Sequence, residues 1–491
     1  MKTINQAASK IHRPTRILQY GEGNFLRAFV AYMIDVSNEK GVLNSGVQLV
    51  KPIPFGSLDL LRSQDGVYTV LLRGKVDGAV SVESRMITCV SGVVDAYEEY
   101  ETYAALAGTP ELRFIVSNTT EAGIVYDESD EIARMPPKSY PGKLTKFLYE
   151  RYQAFHGAED KGLIILPVEL IDKNGATLRE YCLKLSDLWK LPADFKSWLT
   201  NANTFCNTLV DRIVTGYPAD EIETLEEELG YSDQLLVTGE PFALWVIESE
   251  NPEAVAKELP LDQAGLPVIF TDNLQPYRER KVRILNGAHT ASVPAAYLSG
   301  IDTVGELMKD QTMRRFLEQA VYDELVPMVP LPLDEVKAFA DSVIERFENP
   351  FIRHHLLSIA LNSVSKFKTR VLPTILETYK KTGEPPKTLC FSLAALIAFY
   401  SGEQSDGKLV GSRNGEAYNI IDDSAVLAFF AESKHLPSDQ FAARLLKRTD
   451  FWGADLTKYN GFPETVAEAL QSIRDHGMRT AVEKFLKRGS A

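Results

Sequence analysis

Three polar side chains, Lys281, Asn286 and His289, fall within nine positions of the segment ERKVRILNGAHTASVP, residues 279–294, which is otherwise apolar and helical in pattern. An amine, a carboxamide and an imidazole are what the oxidation of an alcohol needs when it runs by general acid/base chemistry. A base takes the hydroxyl proton as hydride leaves the carbon, and hydrogen-bond donors hold the oxygen as its charge develops. On a regular α-helix Asn286 and His289 share a face, while Lys281 lies within about a quarter turn of His289 and roughly 12 Å from it along the axis. A lysine at the mouth of the helix can fold its stem back over that distance. Arg283 is a candidate for lowering the lysine pKa by like-charge repulsion. A polar helix start at a domain junction fits the same residues, and they alone leave both readings open.

Such a set needs a hydride acceptor, and the earlier part of the chain supplies the elements for one. TRILQY (15–20) is a short apolar run that ends in the turn YGEGNFLRA, followed by a helical pattern over 24–41. VQLV (47–50), LRFIVSN (112–118) and LIILPVEL (163–170) are further strands, the last two apolar without alternation, as in strands buried on both faces. YTVLLRG (68–74) and SRMITCVSGVV (84–94) suggest a hairpin insertion. Helical patterns cover 141–155 and 176–189. Strand and helix in alternation predict an α/β fold, a Rossmann-type N-terminal domain with a parallel sheet, spanning 1–275. From Lys281 onward almost every segment reads as helix, so 276–491 is expected to be a mainly α-helical C-terminal domain that carries the catalytic segment.

Gly21 and Gly23 stand directly after a strand and before a helix, where a turn without Cβ atoms lets backbone N–H groups face a pyrophosphate. With Asn24 and Phe25 they are the candidate cofactor turn. Leu26 occupies the place of the usual third glycine, and an ordinary strand-to-helix glycine turn fits as well. The acid expected near the end of the second strand is missing; Lys51 and Pro52 stand there, and a lysine tolerates a 2′-phosphate, which leaves NAD and NADP both open. SNTTEAG (117–123) follows another strand and places Ser117, Asn118, Thr119 and Glu121 where the nicotinamide side of a Rossmann cleft is lined. The same letters also fit a helix N-cap.

VDRIVTGYP (210–218) sets Asp211 beside Arg212, a local ion pair or a substrate contact. Lys366, Lys368 and Arg370 lie on one helical stretch, either a solvated face or a clamp for a carboxylate. His354 and His355 are adjacent and point to different sides of a helix, and the remaining histidines have no ligand-spaced neighbours, so no metal site is expected. Four scattered cysteines in a 491-residue chain fit free thiols in a reducing compartment. A net charge of −14 argues against nucleic acid and anionic membrane as partners, while a few local cations suffice for a small anion. The N-terminal stretch lacks an apolar core of signal-peptide length and no run reaches the roughly 18 apolar residues of a membrane span, so a cytoplasmic protein is expected. There is no GxSxG, HExxH or Walker A motif, which leaves redox chemistry on a dinucleotide as the strongest enzyme class.

KVRILNGAH, with GEGNFLRA, SNTTEAG, VDRI and RFENP…SKF in the same order along nearly the whole chain, resembles the mannitol dehydrogenase family of polyol-specific long-chain dehydrogenases. The resemblance implies NAD as cofactor, metal-independent catalysis, Lys281 as general acid/base and Asn286 and His289 on the reacting oxygen. It also implies that Asp211 and Lys366 lie near the substrate, a small sugar acid of six carbons. Two departures stand out. Glu169 and Leu170 replace the Asp-Asn pair of polyol-oxidising members, and Ser358 stands where they carry an arginine. Carboxylate recognition is therefore expected from Lys366 or Arg370. A sister activity on another hexuronate or a neutral polyol, and a non-catalytic binding regulator on the same fold, are the rival readings.

Overall fold

The computed structural model describes residues 1–119, 123–405 and 408–488. The chain divides into two compact units, Met1–Leu274 and Gln275–Ala491.

The first unit is built on a six-stranded sheet of β1 (Thr15–Tyr20), β2 (Gly46–Lys51), β3 (Val90–Asp95), β4 (Phe114–Ser117), β5 (Ile164–Pro167) and β6 (Thr204–Phe205). All neighbouring pairs are parallel and the spatial order is β3-β2-β1-β4-β5-β6, the doubly wound order whose direction reverses between β1 and β4. The uninterrupted apolar runs follow from burial on both faces. Ile17, Val47, Leu49, Phe114, Val116 and Ile164 enter one core, and Leu18, Tyr20, Val50, Ile115 and Ile165 the other. Helix α1 runs over 24–39 with a π-helical turn at Arg27–Ala31, and α2 (Tyr140–Ala154) and α3 (Asn174–Leu188) cover the sheet further along the chain.

The stretch 84–94 is not one strand of an insertion. Tyr68–Val76 and Ala79–Ile87 form the antiparallel hairpin, turned by Asp77 and Gly78 at φ 51° and 78°, and the chain then breaks and enters the main sheet as β3. The buried carboxylate of Asp35 holds the break, accepting from the N–H groups of Thr88 at 2.8 Å and Cys89 at 3.1 Å.

In the second unit Lys281, Asn286 and His289 belong to α4, a continuous helix over 275–298 made of Gln275–Arg280, a π-helical turn at Lys281–Asn286 and Gly287–Leu298. Around it lie α5 (Leu333–Phe347), α6 (Ser363–Arg370) and α7 (Lys387–Phe399), the last almost wholly buried. The helical pattern that the sequence shows between 351 and 380 is realised as three separate helices, Leu356–Ile359, α6 and Leu372–Thr382, with non-helical chain before them. A small antiparallel sheet, Glu403–Ser405, Lys408–Arg413 and Glu416–Ile420, interrupts the helices. Its Asn414-Gly415 turn, at φ 53° and 87°, is the hairpin signal that marks it in the sequence.

Candidate active site

Lys281 is not at a helix mouth. Six helical residues precede it, and its reach is set instead by the π turn, in which the Gly287 N–H bonds to the Val282 carbonyl five residues back. On a regular α-helix Lys281 and Asn286 would diverge by about 140°. The extra residue of a π turn removes about 100° of that, so both lie on one side of α4, with His289 less than a turn further on. Gly287 serves packing: a Cβ there would lie 3.3 Å from the Arg370 carbonyl, so its absence lets α6 come close.

His289 is the centre of a dense cluster within this unit. Its ring stacks on Phe347 at 4.2 Å between centroids and meets the edge of His354 at 5.4 Å. Its Nε2 is buried and has no hydrogen-bond partner among the described residues. Burial, and then the charges of His354, Arg346, Arg370 and Lys366, hold its pKa well below the usual imidazole value. The ring is therefore neutral at physiological pH, with a buried nitrogen available for one hydrogen bond. The Asn286 carboxamide likewise makes no hydrogen bond to another described residue, whereas its carbonyl accepts from Thr290 Oγ1 at 2.9 Å.

The two outer cations of α6 behave differently from the third. Lys366 and Arg370, four residues apart, share the side that faces α4. Lys366 Nζ donates to the Ile359 carbonyl at 2.8 Å, and Arg370 makes a long contact of 3.5 Å with Thr290 Oγ1. Burial lowers the pKa of both, and each lowers that of the His289 ring. Lys368 points elsewhere, its stem near Gly453. All three are half-buried, so none of them lies on a freely solvated face. Ser358, at the position of the missing arginine, is exposed and its hydroxyl donates to the His355 carbonyl at 2.7 Å.

Arg283 is engaged elsewhere. Two residues along the helix it points away, into a bidentate pair with Glu377, a contact of 3.2 Å to Glu279 and a hydrogen bond of 2.9 Å to the Met328 carbonyl.

In the first unit, the turn after β1 has the form a dinucleotide requires. Gly21 has φ 118°, its N–H bonds to the Val50 carbonyl at 2.9 Å, and a Cβ on it would lie 3.1 Å from Leu26 and 3.2 Å from the Asn118 carbonyl. Leu26, in place of a third glycine, thus fills the space beneath the turn. Gly23 caps α1, and a Cβ there would meet nothing within 4 Å, so the turn is open on that side. Asn24 is exposed, with its carbonyl oxygen tied to Arg27 at 2.6 Å. Phe25 leans on Phe29 and the core, a packing role.

The loop after β4 is braced from below. Glu169, buried beyond the end of β5, accepts from Ser117 Oγ at 3.0 Å and from both the N–H and Oγ1 of Thr119 at 2.9 Å. The Ser117 and Thr119 hydroxyls therefore turn inward, and Asn118 between them, whose carboxamide makes no bond to a described residue, is the side chain left for a ligand. Glu121 lies outside the described residues. The N-cap reading of the same letters turns on Glu121 and so also falls outside the described residues; the next described helix is α2, capped by Ser139. Asp211 is buried at the end of strand Asn207–Asp211, while its neighbour Arg212 donates to the carbonyls of Ala28, Pro241 and Phe242 at 2.7–3.1 Å, so that arginine serves the backbone.

Sequence reasoning passed over Arg346, Phe347 and His354 as site residues although RFENP was among the quoted motifs, and it saw in Glu169 only a departure. Among the described residues no three His, Cys, Asp or Glu side chains group as a metal site.

The chain matches the mannitol dehydrogenase Rossmann domain over residues 15–263 and the mannitol dehydrogenase C-terminal domain over 273–474. It belongs to the mannitol dehydrogenase family. It is 49% identical over 490 residues to the altronate oxidoreductase of Escherichia coli O7:K1, covering 98% of this chain and 99% of that relative, and the same figures hold for the altronate oxidoreductase of Shigella flexneri. Among solved structures, Pseudomonas fluorescens mannitol 2-dehydrogenase, a ternary complex with NAD and D-mannitol, matches at 25% identity and TM-score 0.66 over 98% of this chain and 96% of that one. A substrate-free D-sorbitol dehydrogenase reaches TM-score 0.79 at 20% identity, over 98% of this chain and 100% of that one, a likeness of fold.

Proposed function

We propose that this chain is an NAD-dependent oxidoreductase that interconverts D-tagaturonate and D-altronate, with Lys281 as general acid/base. The observation that carries the mechanism is the π turn at Lys281–Asn286, which gives an amine and a carboxamide a common side beside a neutral, buried imidazole. Bound NAD(H) accepts or supplies the hydride. Lys281 gives its proton to the ketone oxygen in reduction and takes it back in oxidation. Asn286 and His289 hydrogen-bond that oxygen as its charge builds, and the imidazole adds no competing charge of its own. Arg370 and Lys366 hold the carboxylate of the sugar acid, a charge that a neutral polyol lacks. Asn118 and the Gly21–Gly23 turn orient the cofactor. Asp211 is assigned to the substrate. Donors of this kind make the proton transfer independent of a metal, and four buried, unpaired thiols fit a reducing cytoplasm. No helix among the described residues is long and apolar enough to cross a membrane.

Lys281→Ala tests the assignment. Turnover should fall by roughly 10²–10⁴ with NADH binding retained; a variant that keeps more than about a tenth of the wild-type rate would remove Lys281 from the chemistry. A panel of tagaturonate, fructuronate and fructose with NADH tests the substrate, and preference for either of the last two would replace the proposed one.

A further inference from the structure

Helix α5 touches α4 on both sides of the π turn. Before the turn, Arg280 donates to Glu335 Oε1 at 2.7 Å and its guanidinium lies over the Phe339 ring, 4.5 Å from the centroid. After it, the Phe347 ring stacks on His289 at 4.2 Å between centroids with 19° between the planes. Glu335, Phe339 and Phe347 fall within about a third of the circumference of α5, so one side of that helix makes all three contacts. Phe347 is the last residue of α5, and the chain after it is fixed. The Glu348 N–H bonds to the Ile344 carbonyl at 3.1 Å, and the buried side chain of Asn349 accepts from the Phe351 N–H at 3.0 Å.

The imidazole of His289 does not fix its own plane. The torsion that turns a histidine ring about Cβ–Cγ is broad and roughly two-fold, and the usual constraint is a hydrogen bond on a ring nitrogen. The buried Nε2 has no such partner among the described residues. Packing holds the ring instead, with Phe347 on its face and His354 meeting it at 80° and 5.4 Å. A quarter turn of the imidazole would set the two rings edge to face at the same 4.2 Å. That is closer than the roughly 4.5–7 Å that aromatic pairs keep.

We propose that Phe347 is a positioning residue for the reaction: its flat face fixes the plane of His289, so that the edge of the imidazole stays aimed at the reacting oxygen. This rests on the reading of His289 as a hydrogen-bond partner of that oxygen.

Steady-state kinetics with NADH and tagaturonate, or whichever of the three panel substrates is reduced fastest, tests it in a double-mutant cycle. Phe347→Leu keeps the apolar bulk and removes the flat face. Its kcat should fall by roughly tenfold, while KM and the NADH dissociation constant move by less than about twofold. His289→Ala should lower kcat by roughly 10²–10³. Adding Phe347→Leu to it should cost less than about twofold more, because no ring is left to aim. An equal loss in both backgrounds would make Phe347 a structural residue and overturn the proposal. So would a rise of KM and of the NADH dissociation constant in step with the fall of kcat, or an unchanged kcat in Phe347→Leu. If Phe347→Leu does not fold, Phe347→Met serves in the same cycle, since an unbranched side chain fills the space without a plane. A wild-type rate in His289→Ala would remove the reading of His289 itself, whereas equal losses remove only the role of Phe347.

Discussion

Lys281 and Asn286 are the first and last residues of a single π turn, and that turn carries them onto one side of α4. π turns inside α-helices are rare, and their usual consequence is a change of phase at a functional position. Here the phase change brings together an amine and a carboxamide that a regular helix would set about 140° apart.

The role proposed for Lys281 requires a titratable amine in that place. Lys281→Arg keeps a cation at the position but cannot release its proton near neutral pH, so the rate should drop nearly as far as in Lys281→Ala, by roughly 10²–10⁴. Added methylamine should restore part of the rate in Lys281→Ala and none in Lys281→Arg. Full activity in the arginine variant would reduce the lysine to an electrostatic role.

His289 makes a prediction about stability. Its pKa is depressed in the fold, first by burial and then by four cationic or titratable neighbours. Below about pH 6.5 the unfolded chain binds a proton that the folded ring refuses. The contribution is thus fully present above that pH and is lost as pH falls toward the folded pKa, by up to about 1.4 kcal/mol per pH unit. Urea unfolding at about pH 7.5 and about pH 5.5 should show the wild type losing roughly 1 kcal/mol more than His289→Gln. Equal losses would mean that the ring is protonated in the fold.

Arg370 and Lys366 face α4 from α6, and the role proposed for their charge is to hold an anionic substrate. Arg370→Met should raise KM for the sugar acid by roughly 10- to 100-fold, the loss of one charged hydrogen bond of about 1.5–3 kcal/mol. Its rate with fructose, which has no carboxylate, should change by less than about threefold. Equal losses on both substrates would assign Arg370 to holding the helix.

The parallel sheet is legible from the sequence because a strand buried on both faces must be apolar at every position, as 114–117 and 164–167 are. The break at Thr88-Cys89 is not, because a carboxylate on a distant helix, Asp35, creates it. The lysine, asparagine and histidine are visible as residue types at fixed spacing, while their alignment depends on a π turn that no periodicity announces. Arg346, His354 and Glu169 reach their partners through tertiary packing alone: Glu169 and Ser117 are 52 residues apart and hydrogen-bonded. The Asn414-Gly415 hairpin carries its own turn signal, although strong helical patterns surround it.

The two glycines of the cofactor turn should separate stability from binding. Gly21 combines φ 118° with close approach to Leu26 and to the Asn118 main chain, and the main chain cannot yield cheaply. Gly21→Ala should therefore cost about 1–3 kcal/mol of stability, and it should weaken NADH as the turn and the loop after β4 are pushed apart. Gly23 has φ −68°, a value any residue adopts, and no described atom stands within 4 Å of the Cβ it lacks. Gly23→Ala should leave the unfolding midpoint within about 0.5 kcal/mol of wild type, since no protein atom is displaced. The same methyl should still weaken NADH by on the order of tenfold, because it occupies the approach of the pyrophosphate to the backbone. Denaturant unfolding beside NADH titration gives both quantities for each variant. Unchanged NADH affinity in Gly23→Ala would move the pyrophosphate off this turn.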